Sequence, residues 1–273
     1  MSGTIVLPKN VPIDSITIGK VRNMGNNHGK MAYLSLNDEN FIFQLPEMSS
    51  PFGMSSWTND DNGNTKYWID LSFRDIENRV PLQVFKKLIE DIDEKVIQHA
   101  FDNSNIFFKK KYTNIDIVRE FFTNSIKYPK DKETGEITDK WPPTFKVTLP
   151  QRDGEFNFEA YNKKKESINL KDIQTKGSKM TTLIKCGGIW IAGGNKFGIT
   201  WKVVQILVVP YEKINGFAIM DNPEDKMKGK NDDDEDDDND ESNDISNKLG
   251  ATHLVDDDDS DDDDSDENKS DSN

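Results

Sequence analysis

The longest apolar stretch of the chain is SKMTTLIKCGGIWIAGGNKFGITWKVVQILVVP, Ser178 to Pro210. Two β-rich runs, Met180 to Ala192 and Ile199 to Val209, flank Gly193, Gly194, Asn195 and Lys196. Asn and Gly accept the positive φ of a tight reversal, so the pattern predicts a long β-hairpin at the centre of a sheet or barrel. On its second strand, alternation puts Ile199, Trp201, Val203, Gln205 and Leu207 on one face and Thr200, Lys202, Val204, Ile206 and Val208 on the other. Toward Pro210 both faces are apolar, which predicts burial on both sides. The pair Gly187-Gly188 predicts a bulge, a barrel bend, or backbone left bare for a ligand.

Upstream, Ser15 to Arg22, Lys30 to Leu36 and Asn40 to Leu45 read as a three-stranded meander broken at Gly25–Gly29 and Asn37–Glu39. Pro46 to Asn64 reads as a loop. In the strand Lys66 to Phe73, Tyr67, Ile69 and Leu71 share one face and Trp68 and Asp70 the other. Pro81 suits the first turn of a helix whose stripe is Leu82, Phe85, Leu88, Ile89, Ile92, Val96 and Phe101. A second helix is expected over Ile115–Thr123, capped by Thr113 or Asn114, burying Ile117, Val118, Phe121 and Phe122. Thr144 to Leu149 and Glu155 to Tyr161 are further strands, and Ile214 to Met220 a short edge strand. The expected fold class is therefore mainly β, a closed five- or six-stranded barrel of OB-fold-like type with a two-helix insertion at about 81–124. A β-sandwich is the alternative.

Charge divides the chain. Positions 231–273 hold 21 Asp and Glu against 2 Lys, a net −19, which leaves 29 acidic and 33 basic residues in 1–230, a net +4. All 26 aromatic residues lie in the body. We therefore expect one folded domain over 1–222 and a disordered acidic tail over 223–273. The single cysteine, Cys186, excludes an intrachain disulfide and a cysteine metal cluster, and suits a reducing compartment. The opening MSGTIVLPKNVP has no charged region followed by an apolar core, so no signal peptide is expected, and no apolar run is long enough to predict a membrane partner.

Signals for catalysis are weak. His28, His99 and His253 are scattered without metal spacing, and His99 falls on the polar side of its helix, where exposure is expected. Glu90, Asp91, Asp93 and Glu94 read as a solvated helix face rather than a general-acid pair. Gly193 to Gly198 leads into a strand, whereas a phosphate-cradling loop opens a helix. No enzyme activity, cofactor or metal is implied.

Basic and aromatic residues are instead neighbours at Phe108–Tyr112, Lys127-Tyr128, Tyr161 with Lys163–Lys165, Lys196-Phe197 and Trp201-Lys202. Binding single strands without sequence preference needs cations for phosphates and rings for bases. Only 5 of the 35 basic residues are Arg, so backbone contact is favoured over bidentate reading of guanine. The plain alternative is that Trp190, Trp201 and Phe197 pack the core or the turn and that the lysines are solvated surface.

Four segments, LPEMSSPFG, WPPTFKVTLP, GEFNFEAYN and GGIWIAGGNKFGITWKVVQILVVP, resemble a single-stranded-DNA-binding family of nucleocytoplasmic large DNA viruses. That family is similar to the short-tailed-phage type of single-stranded-DNA-binding protein, an OB-fold with helical insertions and an acidic C-terminal tail. The resemblance spans roughly residues 15–215 and implies sequence-independent binding of single-stranded DNA in viral replication, recombination or repair. Contact candidates are Lys109, Lys110, Lys111, Tyr112, Lys185, Trp190, Lys196, Trp201 and Lys202, with Trp190 and Trp201 stacking bases if they face outward. The tail is expected to compete for the DNA groove and to contact viral replication proteins, and a homodimer is admitted. The expected location is inside the infected host cell, in viral factory, cytoplasm or nucleus, or in the virion. The alternative is a virion or scaffold interaction protein, or an acidic chaperone of basic proteins.

Overall fold

In the computed structural model, which describes residues 3–24, 29–60, 63–211 and 219–220, the barrel is built from β1 (Phe41–Gln44), β2 (Met48–Ser49), β3 (Met54–Thr58), β4 (Thr65–Ser72), β5 (Thr144–Leu149), β6 (Lys179–Ile191) and β7 (Phe197–Val209). The strands β6, β2, β4, β5 and β7 are joined in that order, and β7 pairs back onto β6. That pairing closes a ring of five strands, with β1 added to β6 and β3 added to β4 outside it. The chain is mainly β, with the OB-fold-like closed barrel and helical insertion expected. All these elements fall in a first unit, Met1–Asn215; of the second, Gly216–Asn273, only Ile219 and Met220 are described. The edge strand expected over Ile214–Met220 and the acidic tail thus lie outside the described residues, apart from Ile219 and Met220, which carry no strand.

The β6–β7 hairpin turns through Gly193–Asn195, where Asn195 has φ 67°, and the Ala192 amide donates to the Lys196 carbonyl at 2.9 Å. Two irregularities break the expected alternation. Between Cys186 and Gly188, residue Gly187 has no partner on β7; between Leu183 and Ile184, the partner skips from Gln205 to Val203, leaving Val204 extra. The second offset turns β7 over. Trp201 and Val203 face the core, and then Ile206 and Val208 do, so Gln205 and Leu207 share the outer side with Val204 and the end near Pro210 is buried on one side only.

Other differences follow from pairing. Met54–Thr58, expected as loop, is a strand because it completes an antiparallel ladder with Thr65–Ile69. Residues 30–36 split at Tyr33, with Lys30–Ala32 joining β6 and Leu34–Leu36 pairing with Ile16–Ile18 in a separate sheet. The insertion carries three helices where two were expected: α1 (Val80–Asp102), α2 (Ser104–Phe108) and α3 (Ile115–Arg119). Asn114 caps α3 by accepting from the Asp116 amide at 2.9 Å. The helix is shorter than expected because Phe122–Thr123 leaves it to pair in parallel with Phe197–Gly198. Val118 and Phe122 are buried as expected, whereas Ile117 is exposed.

The apolar stripe of α1 covers one mouth of the barrel. Phe85 stacks on Phe73 and meets Phe145 edge-on at 5.1 Å, and Phe145 continues to Trp201 at 6.0 Å. Asp93 does not sit on a solvated helix face. It is buried, accepts from the Ser125 amide (2.8 Å) and hydroxyl (2.6 Å), and the same hydroxyl oxygen accepts from Trp201 Nε1 at 3.1 Å. His99 is half-buried rather than exposed, with its ring edge-on to Phe107.

Burial pushes the Asp93 carboxyl up to about 7, against the opposing pull of its two Ser125 hydrogen bonds. A folded-state value above the unfolded one means that the folded protein holds the extra proton between about pH 4 and 7. Stability is therefore expected to fall as pH rises through that window, by at most roughly 1.4 kcal/mol per pH unit. Urea denaturation from pH 4 to 8 checks this; in Asp93→Asn the slope is expected to flatten, and an unchanged slope would contradict it.

Candidate nucleic-acid interface

The outer face of the barrel carries a continuous cross-strand row. Ser55 on β3 lies opposite Trp68 on β4, Trp68 opposite Thr148 on β5, Thr148 opposite Lys202 on β7, and Lys202 opposite Lys185 on β6. Four strand-to-strand steps make the row about 19 Å long. Its members face out because their neighbours Ile69, Val147, Trp201 and Ile184 are buried inside.

Next to this row, Lys146 Nζ lies 4.0 Å from the centroid of the Trp68 ring, and Trp68 Nε1 donates to Asp70 Oδ2 at 3.1 Å. Burial, and then the nearby Lys127 ammonium, hold the Lys146 amine below the ordinary lysine value against the pull of Asp70. One row further out, Trp57, 51% exposed, lies opposite Lys66, whose Nζ is 5.7 Å from its ring. The patch thus offers two tryptophan faces, each with a lysine on it, beside an open lysine pair.

Glycines shape the hairpin part of the face. A Cβ on Gly187 would meet Lys202 Cε at 2.7 Å, so the lysine stem lies across the bulge. Gly188, at φ 127°, is covered by Met31, and Gly198 by the ring of Trp190, 2.8 Å from an added Cβ. Of the three readings of the glycine pair, the bulge holds, and side chains of this chain fill the bare backbone.

Of the nine candidates, Lys185 and Lys202 form the directly opposed pair, and Trp190 lies farther along the same hairpin face. Trp201 does not belong with them. It is 2% exposed and packs against Phe43 and Phe145, because its strand position points into the barrel; it cannot stack a base. Lys109, Lys110, Lys111, Tyr112 and Lys196 gather at the hairpin tip. There the Tyr112 hydroxyl accepts from Asn195 Nδ2 (3.1 Å), Lys196 Nζ donates to the Glu120 carbonyl (3.2 Å), and Lys109 ends α2 at φ 57°. Phe108 and Phe121 hold the Tyr112 ring edge-on, so it braces the turn.

Trp57, Lys66, Trp68 and Lys146 were missed as candidates. Their signal was present in part: alternation in β4 and β5 already puts Trp68 and Lys146 outward, but only the pairing of the two strands makes them neighbours. Among the described residues no group of three or more His, Cys, Asp or Glu could hold a metal, and no helix is long and apolar enough to cross a membrane.

The model of a family described as of unknown function, DUF5871, matches residues 70–221, more than half of the chain. No curated protein sequence matches. Among solved structures, the chain is similar to gp2.5, a single-stranded DNA binding protein encoded by bacteriophage T7, with 14% identity over 66% of this chain and 98% of that one and a TM-score of 0.41. It is also similar to the single-stranded DNA-binding protein of bacteriophage Enc34 in complex with single-stranded DNA, with 12% identity over 72% and 98% and a TM-score of 0.36.

The placement of Trp201 has a direct consequence. Trp201→Ala is expected to lower stability by about 3–5 kcal/mol, the usual effect of emptying a large aromatic site in a core. Chemical denaturation checks this; a loss under about 1 kcal/mol would return Trp201 to the surface.

Proposed function

We propose that this chain, which belongs to the family of unknown function DUF5871, binds single-stranded DNA with little sequence preference. The observation that supports this best is the directly opposed pair Lys185 and Lys202 in line with Trp68. Like charges facing each other across a ladder destabilise a sheet. Neither lysine has a carboxylate partner among the described residues, so a polyanion is the ligand that relieves the repulsion. The adjacent rings select the kind of polyanion. Bases of a single strand are free to stack on Trp68 and Trp57, each stack adding about 1–3 kcal/mol, whereas bases of a duplex are turned inward. Lysines rather than arginines contact phosphate without reading bases. Lys109, Lys110, Lys111 and Lys196 extend the cationic path at the hairpin tip, and Trp190 adds a ring along it. Binding, not turnover, is the activity.

The setting we propose is protection of exposed strands during replication, recombination or repair of a viral genome inside the infected cell, as the family resemblance implies. The acidic blocks Asp232–Asp238, Asp256–Asp259 and Asp261–Asp264 act as a tethered competitor for the cationic row. A short flexible tether holds such a segment at mM effective concentration. DNA displaces it and frees it for basic surfaces of replication partners.

Fluorescence anisotropy with labelled oligonucleotides at several salt concentrations tests the reading. Wild type is expected to prefer single-stranded over duplex DNA and to weaken steeply with salt. Lys202→Ala is expected to flatten the log–log salt slope by about 0.7, one phosphate contact, and Trp68→Ala to weaken binding about five-fold or more with the slope unchanged. Equal affinity for duplex, or a flat salt response, would reject the reading. Removing 231–273 is expected to tighten binding; the same or lower affinity would reject tail competition.

A further inference from the structure

Asp70 is an anomaly on a surface read as a polyanion site. It lies on β4 among outward residues, directly opposite Lys146, yet is only 8% exposed. Its Oδ2 accepts from Trp68 Nε1, and its Oδ1 has no hydrogen-bond partner. A carboxylate beside phosphate contacts weakens binding of a polyanion by simple charge repulsion, and burying it half-satisfied lowers stability as well. Neither effect explains its presence.

The geometry around Trp68 does. An outward tryptophan on a strand has staggered rotamers available, and a base needs the ring held in one of them. The Asp70 carboxylate takes the indole N–H at 3.1 Å two residues along the same strand, which fixes the direction of the ring edge. The same charge draws the opposite Lys146 toward β4, where its ammonium lies over the ring face. Resting on the nucleic-acid reading of this face, we propose that Asp70 is a positioning residue that orients Trp68 as a stacking platform for a base and retains Lys146 beside it. Because the bond is local to one ring, ring order and phosphate contact are separable.

This gives a prediction opposite to that of electrostatics. Removing a negative charge from a polyanion site ordinarily tightens binding. Here Asp70→Ala is expected to weaken binding of single-stranded DNA at least about five-fold, the lower bound for one lost stack, with the salt slope unchanged. Asp70→Asn keeps an oxygen acceptor for the indole and is expected to bind as tightly as wild type or more tightly. A second measurement needs no DNA. The Trp68 indole N–H signal, assigned with Trp68→Phe, is expected to exchange slowly with solvent in wild type and Asp70→Asn and faster in Asp70→Ala.

Equal or tighter binding by Asp70→Ala would overturn the proposal, as would unchanged indole exchange, or an affinity loss that comes with a lowered salt slope and melting temperature in both variants. If wild type itself ignores single-stranded DNA, the functional reading fails, and the exchange measurement alone decides whether Asp70 holds the ring.

Discussion

The pairing of β6 with β7 is the constraint on which the rest of the chain depends. Each strand has 13 residues, and the ladder keeps its core face only because each strand carries one extra residue, Gly187 on β6 and Val204 on β7. Without the offset at Val204, strict alternation would turn Gln205 and Leu207 inward and put Ile206 and Val208 in water. With it, Trp201, Val203, Ile206 and Val208 are all buried. The same ladder fixes the outer surface. The bulge at Gly187 makes room for the Lys202 stem, and β7 closes the ring by meeting β5 at Thr148 and Lys202. Closure of the barrel and alignment of the cationic row are thus one event.

The insertion secures this ring from the inside and at its tip. Aromatic contacts run from Phe73 through Phe85 and Phe145 to Trp201 and Phe43, joining α1 to both sides of the barrel. Such contacts are only weakly directional. Direction comes from Asp93, Ser125 and Trp201, whose hydrogen bonds allow one orientation of the indole. At the tip, Tyr112 holds Asn195, and Lys30 donates to the Ile106 and Phe107 carbonyls at the end of α2. Lys109, Lys110 and Lys111 therefore stand exposed beside a braced turn, and Lys196 is tied back to the Glu120 carbonyl.

How far the sequence could be read depends on how local the signal was. Strands with clean alternation, Thr144–Leu149 and Lys66–Phe73, are found within a residue of their expected bounds, and so is the proline-started helix. Met54–Thr58 was illegible because Ser55, Ser56 and Thr58 carry no apolar alternation; only the neighbouring ladder makes them a strand. Asp93 was misread because its neighbours Glu90, Asp91 and Glu94 are solvated or half-exposed, and one position of helical phase separates them from a buried site. The candidate interface was legible by half. Lys185, Lys202 and Trp190 lie on one strand pair and were within reach of a local reading, whereas Trp68 and Lys146 belong to strands separated by the whole insertion. The side of Trp201 stayed open in the sequence because a tryptophan beside a lysine looks the same whether the ring or the ammonium is the buried partner; the ring is the buried one.

The distribution of charge over the body completes the picture. A surplus of four positive charges is small for a polyanion site if it is spread evenly, but it is not. An open cleft beyond the far ends of β4 and β5, beside Phe73 and Pro143, is lined by Asp75, Glu77, Asp131, Glu136 and Asp139 against the single Arg74. Lys130, Lys132 and Lys140 stand beside and between these acids in the same loop, so the carboxylates facing the cleft are balanced in sequence by lysines beside it. Lys66 beside the row and Asp75 at the cleft are separated by most of β4 and the residues just past its end, about 30 Å of extended chain. The carboxylates that line the cleft still offer a polyanion no counter-charge there, so under the proposed function its approach is favoured at the tryptophan–lysine row instead. With ordinary salt screening over about 8–10 Å, that discrimination acts over only about three residues of a strand.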